Sequence, residues 1–204
     1  MLSQPKPKSL ASPMRERSDP LAVPVDVEMR RPTLSGVPAM PSLAAPAVVR
    51  RARVEEAGAL ATLLRRAFPA ESWDAVGTER ELFSDETVRA TLVVAAEGRL
   101  MATASLQVRP DLPQCGWVRW VATDLDRRRE GLARALVTGV LAMAGEAGCR
   151  DARLRTQTDR LEAIALYLQL GFEPFVRSGP ERELWERVLR VVSGEAGGGW
   201  PPVG

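Results

Sequence analysis

The chain has 204 residues, enough for one sizeable domain plus a tail, and 45% of them are hydrophobic, so a packed core can form. Its 28 basic and 26 acidic residues leave a net charge of +2, too weak a field to point to a nucleic acid or a membrane as partner. Histidine is absent, which excludes a His-dependent metal site and a Ser-His-Asp triad and removes the commonest general base.

The two cysteines, Cys115 and Cys149, lack metal-ligand spacing and do not make a disulfide framework, so a reducing, cytoplasmic setting is expected. No apolar run approaches the ~20 residues that cross a bilayer. The N-terminus lacks the apolar block of a secretory signal.

Residues 1–45 carry Pro5, Pro7, Pro13, Pro20, Pro24, Pro32, Pro38 and Pro41 without helical or strand periodicity, and are expected to be a disordered tail. Met40, just ahead of the first expected strand, is an alternative translation start to Met1. The folded domain is expected over residues 46–192, followed by a flexible Gly-rich tail over 193–204.

Within the domain Val48–Arg53 reads as a strand. Leu60, Leu63, Leu64, Ala67 and Phe68 recur at helical spacing and end before Pro69. Residues 74–90 read as a second helical region. Thr91–Ala96 is an apolar strand, Glu97-Gly98 a tight hairpin, and residues 100–108 alternate as the return strand. Gly116–Thr123 is another strand. Leu132, Ala135, Leu136, Gly139, Val140 and Met143 share one face of a long helix that stops near Gly148. Ala152–Thr156 is a strand, and Asp159 with Glu162 forms a capping-box-like start to a helix that Gly171 ends. Phe172–Val176 reads as a strand. Pro180 then opens a last helix carrying Trp185, Val188, Leu189 and Val192 on one face. Strands alternating with helices argue for an α/β (α+β layered) fold around one mixed sheet.

Two segments carry chemistry. Arg128-Arg-Glu-Gly-Leu-Ala133 has the pattern Arg-x-x-Gly-x-Ala between a strand and a helix. A helix start offers unpaired N–H groups and the positive end of the helix dipole, and small residues let a phosphate approach them. The spacing is neither that of a dinucleotide fingerprint nor that of a P-loop. The second segment, Ala163-Ile-Ala-Leu-Tyr-Leu-Gln-Leu-Gly-Phe172, places Tyr167, the single tyrosine of the chain, near the end of a helix. Alone, each segment also reads as ordinary structure: a charged turn, and a core aromatic.

Together they resemble the acyl-coenzyme A site of the GNAT N-acetyltransferase superfamily, over roughly Val48–Val176 and most closely from Trp117 onward. The resemblance implies a GNAT-like central mixed, mostly antiparallel sheet flanked by helices. It implies that an acetyl group passes from acetyl-CoA, an acyl-donor cosubstrate, to a primary amine by direct attack on the thioester, with no metal. It assigns the pyrophosphate to Arg128, Arg129, Glu130, Gly131, Leu132, Ala133 and Arg134, and the pantetheine arm to the backbone of Val121 and Thr123 on a strand that splays from its neighbour. Tyr167 would face the sulfur as the catalytic residue. A thiol titrates at ~8.5 and tyrosine at ~10, so full proton transfer to the leaving thiolate is uphill by about 2 kcal/mol, whereas a hydrogen bond that strengthens with charge on sulfur helps without it.

The sequence departs from the family at two places. Arg160 stands where many members carry an asparagine that holds the cofactor, so it is a candidate ligand contact there. The final segment has helical periodicity where the family often ends in a β-hairpin. Glu97, Asp124 and Asp159 are candidate general bases by residue type alone, and a water chain is an equal alternative. Trp117 and Trp120 are candidate pocket residues that strand alternation puts on opposite faces unless a bulge intervenes. A catalytically inactive acyl-CoA-binding regulatory module is the alternative function. The acceptor amine is not specified, and a homodimer is left open.

Overall fold

The computed structural model describes residues 23–194. The expectations for residues 1–22 and 195–204 lie outside them. The core is one seven-stranded sheet in the order β2-β3-β4-β5-β6-β1-β7. In chain order the elements are β1 (Asp26–Arg31), β2 (Val48–Arg51), α1 (Ala57–Ala67), α2 (Ala75–Glu79), β3 (Val88–Ala96), β4 (Arg99–Val108), β5 (Cys115–Thr123), α3 (Leu132–Glu146), β6 (Asp151–Gln157), α4 (Leu161–Gln169), β7 (Glu173–Pro174) and α5 (Gly179–Ser193). Every pairing is antiparallel except β5 with β6. That parallel pair is joined through α3, as a parallel connection requires.

The β3–β4 hairpin turns at Glu97 and Gly98, both at positive φ. Helix α3 packs on β3, β4 and β5 through Leu132, Leu136, Val137, Val140 and Leu141. Gly116 permits the close approach of α3 to β5, because a Cβ there would meet the Ala144 Cβ at 2.8 Å. A second cluster lies around α1, where Leu60, Leu63 and Leu64 join Trp73, Leu82 and Val93. The region from 74 to 90 is only partly helical: α2 is one turn, a wide turn follows over Arg80–Ser84, and β3 already begins at Val88.

Residues 26–45 correct the expectation of a disordered tail. Val27 and Met29 are buried in the main core, and β1 pairs along its whole length with β6, from Asp26 opposite Gln157 to Arg31 opposite Ala152. On the other face of β1 the buried Glu28 carboxylate accepts from Arg153 at 3.3 Å and Arg177 at 2.9 Å. A charge in that position is tolerated because it is paired. A chain starting at Met40 would lack this strand. In the sheet β1 lies between β6 and β7, and the C-terminal segment is helical as expected. The last strand is shorter than Phe172–Val176: only Glu173 and Pro174 pair with β1, and Pro174 has no N–H to extend the ladder. Met29→Ala is expected to cost about 3 kcal/mol, as for other fully buried methionines, whereas a side chain in a disordered tail would cost nothing. Urea denaturation measures the difference.

The entry to α1 is held by Glu56, which accepts from Arg50 at 2.6 and 2.8 Å and from the Arg53 N–H at 2.9 Å. The Arg50 hydrogen bonds lead in holding the Glu56 carboxyl well below its ordinary 4.5, at about 2. A depressed carboxylate stabilises the fold above its unfolded pKa, and that contribution fades as pH falls from 4.5 through about 2. Glu56→Gln is therefore expected to lose about 1–2 kcal/mol at neutral pH, since Arg50 is partly solvated. Denaturation curves of the two proteins should converge on acidification.

Candidate functional site

The site begins with a defect in β5. Arg119 lies opposite Ser105 and Ala122 opposite Thr103, so Trp120 and Val121 together oppose Ala104. This is a bulge, and Trp120 takes a φ of +54 to make it. The pairing of β5 with β6 ends at Val118 and Leu154. Beyond that point the strands diverge, and the β6-facing backbone groups of residues 119–123, including Val121 and Thr123, have no strand partner. The bulge resolves the tryptophan question: Trp117 and Trp120 line the same cavity. Trp120 is fixed by edge contacts with Phe68 at 5.8 Å and Trp73 at 4.7 Å.

The cavity in this opening has a volume of about 310 Å³. Val121, Arg160 and Tyr167, three of the residues singled out in the sequence, share its wall with Phe68 of the α1 end. Tyr167 is buried and packs against Phe172 at 5.9 Å. Its hydroxyl has no hydrogen bond to the described residues. Burial pushes the phenol up to about 12, opposed by the positive charge of Arg160. The neutral, proton-donating form is therefore the resident one. Arg160 sits at the N-cap of α4, where it makes no side-chain cap. It donates instead to Gln157 Oε1 at 3.0 Å and stacks 4.9 Å from the Phe68 centroid. The expected Asp159–Glu162 capping box is not formed, because the cap position falls one residue later.

The second sequence motif lies at the start of α3. Gly131 is the N-cap at φ +77, and Arg129 is also at positive φ. The first hydrogen bond of the helix runs from Ala135 N–H to Gly131 C=O at 3.0 Å. The N–H groups of Leu132, Ala133 and Arg134 thus have no intrahelical partner. Nothing lies within 4 Å of a Cβ built on Gly131, so the space above the turn is open. Leu132 is buried, so only its backbone can serve a ligand. Arg129 bridges to Glu162 of α4 at 3.0 Å, and Arg134 donates to Gln169 of α4. Both contacts tie the loop to the tyrosine helix. Arg127 faces Glu130 at 3.6 Å, while Arg128 forms no ion pair among the described residues. A second cavity, of about 400 Å³, touches this loop at Arg127, Glu130 and Leu132 but is otherwise lined by residues 43–47 and Ala96, away from Arg128 and Gly131. Open N–H groups, a free cation and empty space suit the diphosphate of a coenzyme A.

The three carboxylates picked by residue type do not line the cavity of Tyr167. Asp124 is buried and caps the turn before α3, with Arg66 at 3.4 Å and Arg99 at 3.7 Å. Glu97 belongs to the β3–β4 turn, and Asp159 to the turn before α4. The carboxylates that do line it are Asp26 and Glu71. Asp26 was hidden in the segment read as a tail, and Glu71 follows the helix that ends near Pro69. Neither carries a local motif. The cysteines offer no nucleophile: both are buried and free, and burial leads in pushing Cys115 to about 12 and in raising Cys149. Among the described residues no helix is long and apolar enough to cross a membrane.

Known proteins resemble this chain in part of its sequence or in its fold. Human N-acetyltransferase 8 is 44% identical over 50 residues, which cover 24% of this chain and 22% of the human protein. Among solved structures, a GCN5-related N-acetyltransferase from Sphaerobacter thermophilus superposes with a TM-score of 0.61 at 20% identity, covering 74% of this chain and 48% of the other. Diaminobutyrate acetyltransferase from Paenibacillus lautus, in complex with L-2,4-diaminobutyric acid and coenzyme A, gives 0.53 at 20% identity, covering 63% of this chain and 75% of the other. At these identities the structures speak for the fold alone. The profile of the acetyltransferase (GNAT) family matches residues 58–172, more than half of the chain, from α1 through the tyrosine helix. The chain belongs to the GNAT family of acetyltransferases.

Proposed function

We propose that the protein transfers the acetyl group of acetyl-CoA to a primary amine, by direct attack of the amine on the thioester. The observation that carries this reading is the opening between β5 and β6, with a neutral buried tyrosine in its wall and an open helix start nearby. The backbone N–H groups at Leu132, Ala133 and Arg134, with Arg128, Arg129 and Glu130 around Gly131, would hold the pyrophosphate. The unpaired backbone of Val121 and Thr123 would hold the pantetheine amides. Tyr167 would donate a hydrogen bond to the sulfur as the C–S bond breaks. With the phenol near 12 and a thiol at ~8.5, full proton transfer would be uphill by roughly 5 kcal/mol, so the supported role is stabilisation of the thiolate through a hydrogen bond. The amine proton can leave through water at the rim, where Asp26 and Glu71 are exposed.

Calorimetric titration of acetyl-CoA, followed by thiol-release assays on a panel of amines, tests the reading. Binding with turnover is expected. Binding without turnover of any amine would favour an inactive acyl-CoA-binding module, and no binding by the folded protein would sink the acetyl donor.

A further inference from the structure

Two arginines in the Tyr167 cavity are held in the same unusual way. Arg119 donates to Gln107 Oε1 at 2.9 Å and lies 4.7 Å from the Trp120 ring centroid. Arg160 donates to Gln157 Oε1 at 3.0 Å and lies 4.9 Å from the Phe68 ring centroid. Each guanidinium is thus oriented by a neutral amide and an aromatic face. The two rings contact each other edge to face. Neither arginine forms an ion pair among the described residues.

The other arginines in the wall differ: Arg109 is engaged by Asp111 at 2.7 Å, and Arg155 lies 4.0 Å from Glu28. Gln107 is itself fixed, because its amide N–H donates to Thr87 Oγ1 at 2.8 Å and the Thr87 hydroxyl donates to Asp85 at 2.6 Å. Its carbonyl oxygen is therefore committed to Arg119. Burial leads in lowering the pKa of Arg119 from its ordinary value, against the attraction of Glu81 and Glu71, so the cation is partly desolvated and feels those carboxylates only from beyond ion-pair distance. Trp117, in the same wall, has a buried indole N–H without a partner, although such groups are normally satisfied.

A planar guanidinium with fixed orientation is suited to a carboxylate, which it meets with two parallel hydrogen bonds. Asp26 and Glu71, at the exposed part of the same cavity, offer the opposite charge for an ammonium group. We infer that the acceptor is an amine that also bears a carboxylate, and that Arg119 and Arg160 form the clamp that receives it. The inference rests on the acetyl-transfer reading above.

The test uses L-amino acids and their C-terminal amides as paired acceptors in the full chain, with calorimetric titration of acetyl-CoA and of the same acids run separately. At least one acid should be acetylated with a kcat/KM at least about tenfold above that of its amide. Arg119→Gln and Arg160→Gln should each shrink that ratio toward one by raising the KM of the acid, and Arg119→Lys should recover part of it. Amides that serve as well as acids in the wild type would overturn the inference. So would variants that depress acid and amide alike, which is the signature of a merely structural role. If acetyl-CoA fails to bind, the acetyl-transfer reading falls, and the acid titrations then decide the clamp. Heat of acid binding lost in Arg119→Gln upholds it, and no heat in the wild type overturns it.

Discussion

Tyr167→Phe should lower kcat by about 100-fold while changing the affinity for acetyl-CoA by less than about threefold. The substitution removes only the hydroxyl, which has no hydrogen bond to the described residues, and keeps the ring that packs on Phe172. Its effect on stability should be small. On the proposed reading it removes a donor whose value would grow as negative charge builds on the leaving sulfur, an interaction made chiefly in the transition state. The pH dependence separates this from other proton-linked roles. A phenol pushed to about 12 by burial stays protonated well past pH 10, so no alkaline loss of kcat between pH 6 and 10 should come from Tyr167. Any decline or rise in that window belongs to the amine or to the groups that accept its proton. Initial rates of thiol release for both proteins across that range make the measurement. Equal kcat values would reduce Tyr167 to a packing residue.

The parts of the site legible in the sequence are those built by contiguous residues. Gly131 at an αL helix cap and Tyr167 near the end of α4 each follow from a local pattern. The β3–β4 hairpin was legible for the same reason. The parts that were missed depend on pairing between distant segments. Strand β1 has an alternating signal, with Val27 and Met29 on one face and Glu28 and Arg30 on the other. That signal is only six residues long and sits among prolines. What makes it a strand is β6, whose Arg153 meets Glu28 across 125 positions. The same distance hid Asp26. Arg119 was passed over because its meaning comes from Gln107 on the neighbouring strand and from a bulge that turns Trp120 toward Phe68. Arg160 was visible as a departure from the family pattern. Its direction was not, because that depends on Phe68 at the far end of α1.

Gly131→Asp should weaken acetyl-CoA binding by more than about 100-fold, and Gly131→Asn by about tenfold. The pair separates charge from bulk. Residue 131 adopts a φ of +77, a conformation that Asn and Asp enter more readily than other side chains, so both variants should keep the turn at modest cost. A Cβ at this position meets no protein atom within 4 Å, and the added side chain would extend into the space assigned to the pyrophosphate. The two substitutions are nearly the same in shape, but the aspartate sets a negative charge against the diphosphate and against the N–H groups that should serve it. It would also neutralise the positive end of the α3 dipole and draw Arg128, the loop cation without an ion pair among the described residues, away from the ligand. The gap between Asp and Asn should therefore narrow at high salt, while the steric loss common to both persists. Titration of acetyl-CoA at two ionic strengths reads both terms. Wild-type affinity in Gly131→Asp would mean that the pyrophosphate lies elsewhere, and the α3 start would then be only a tight turn between sheet and helix.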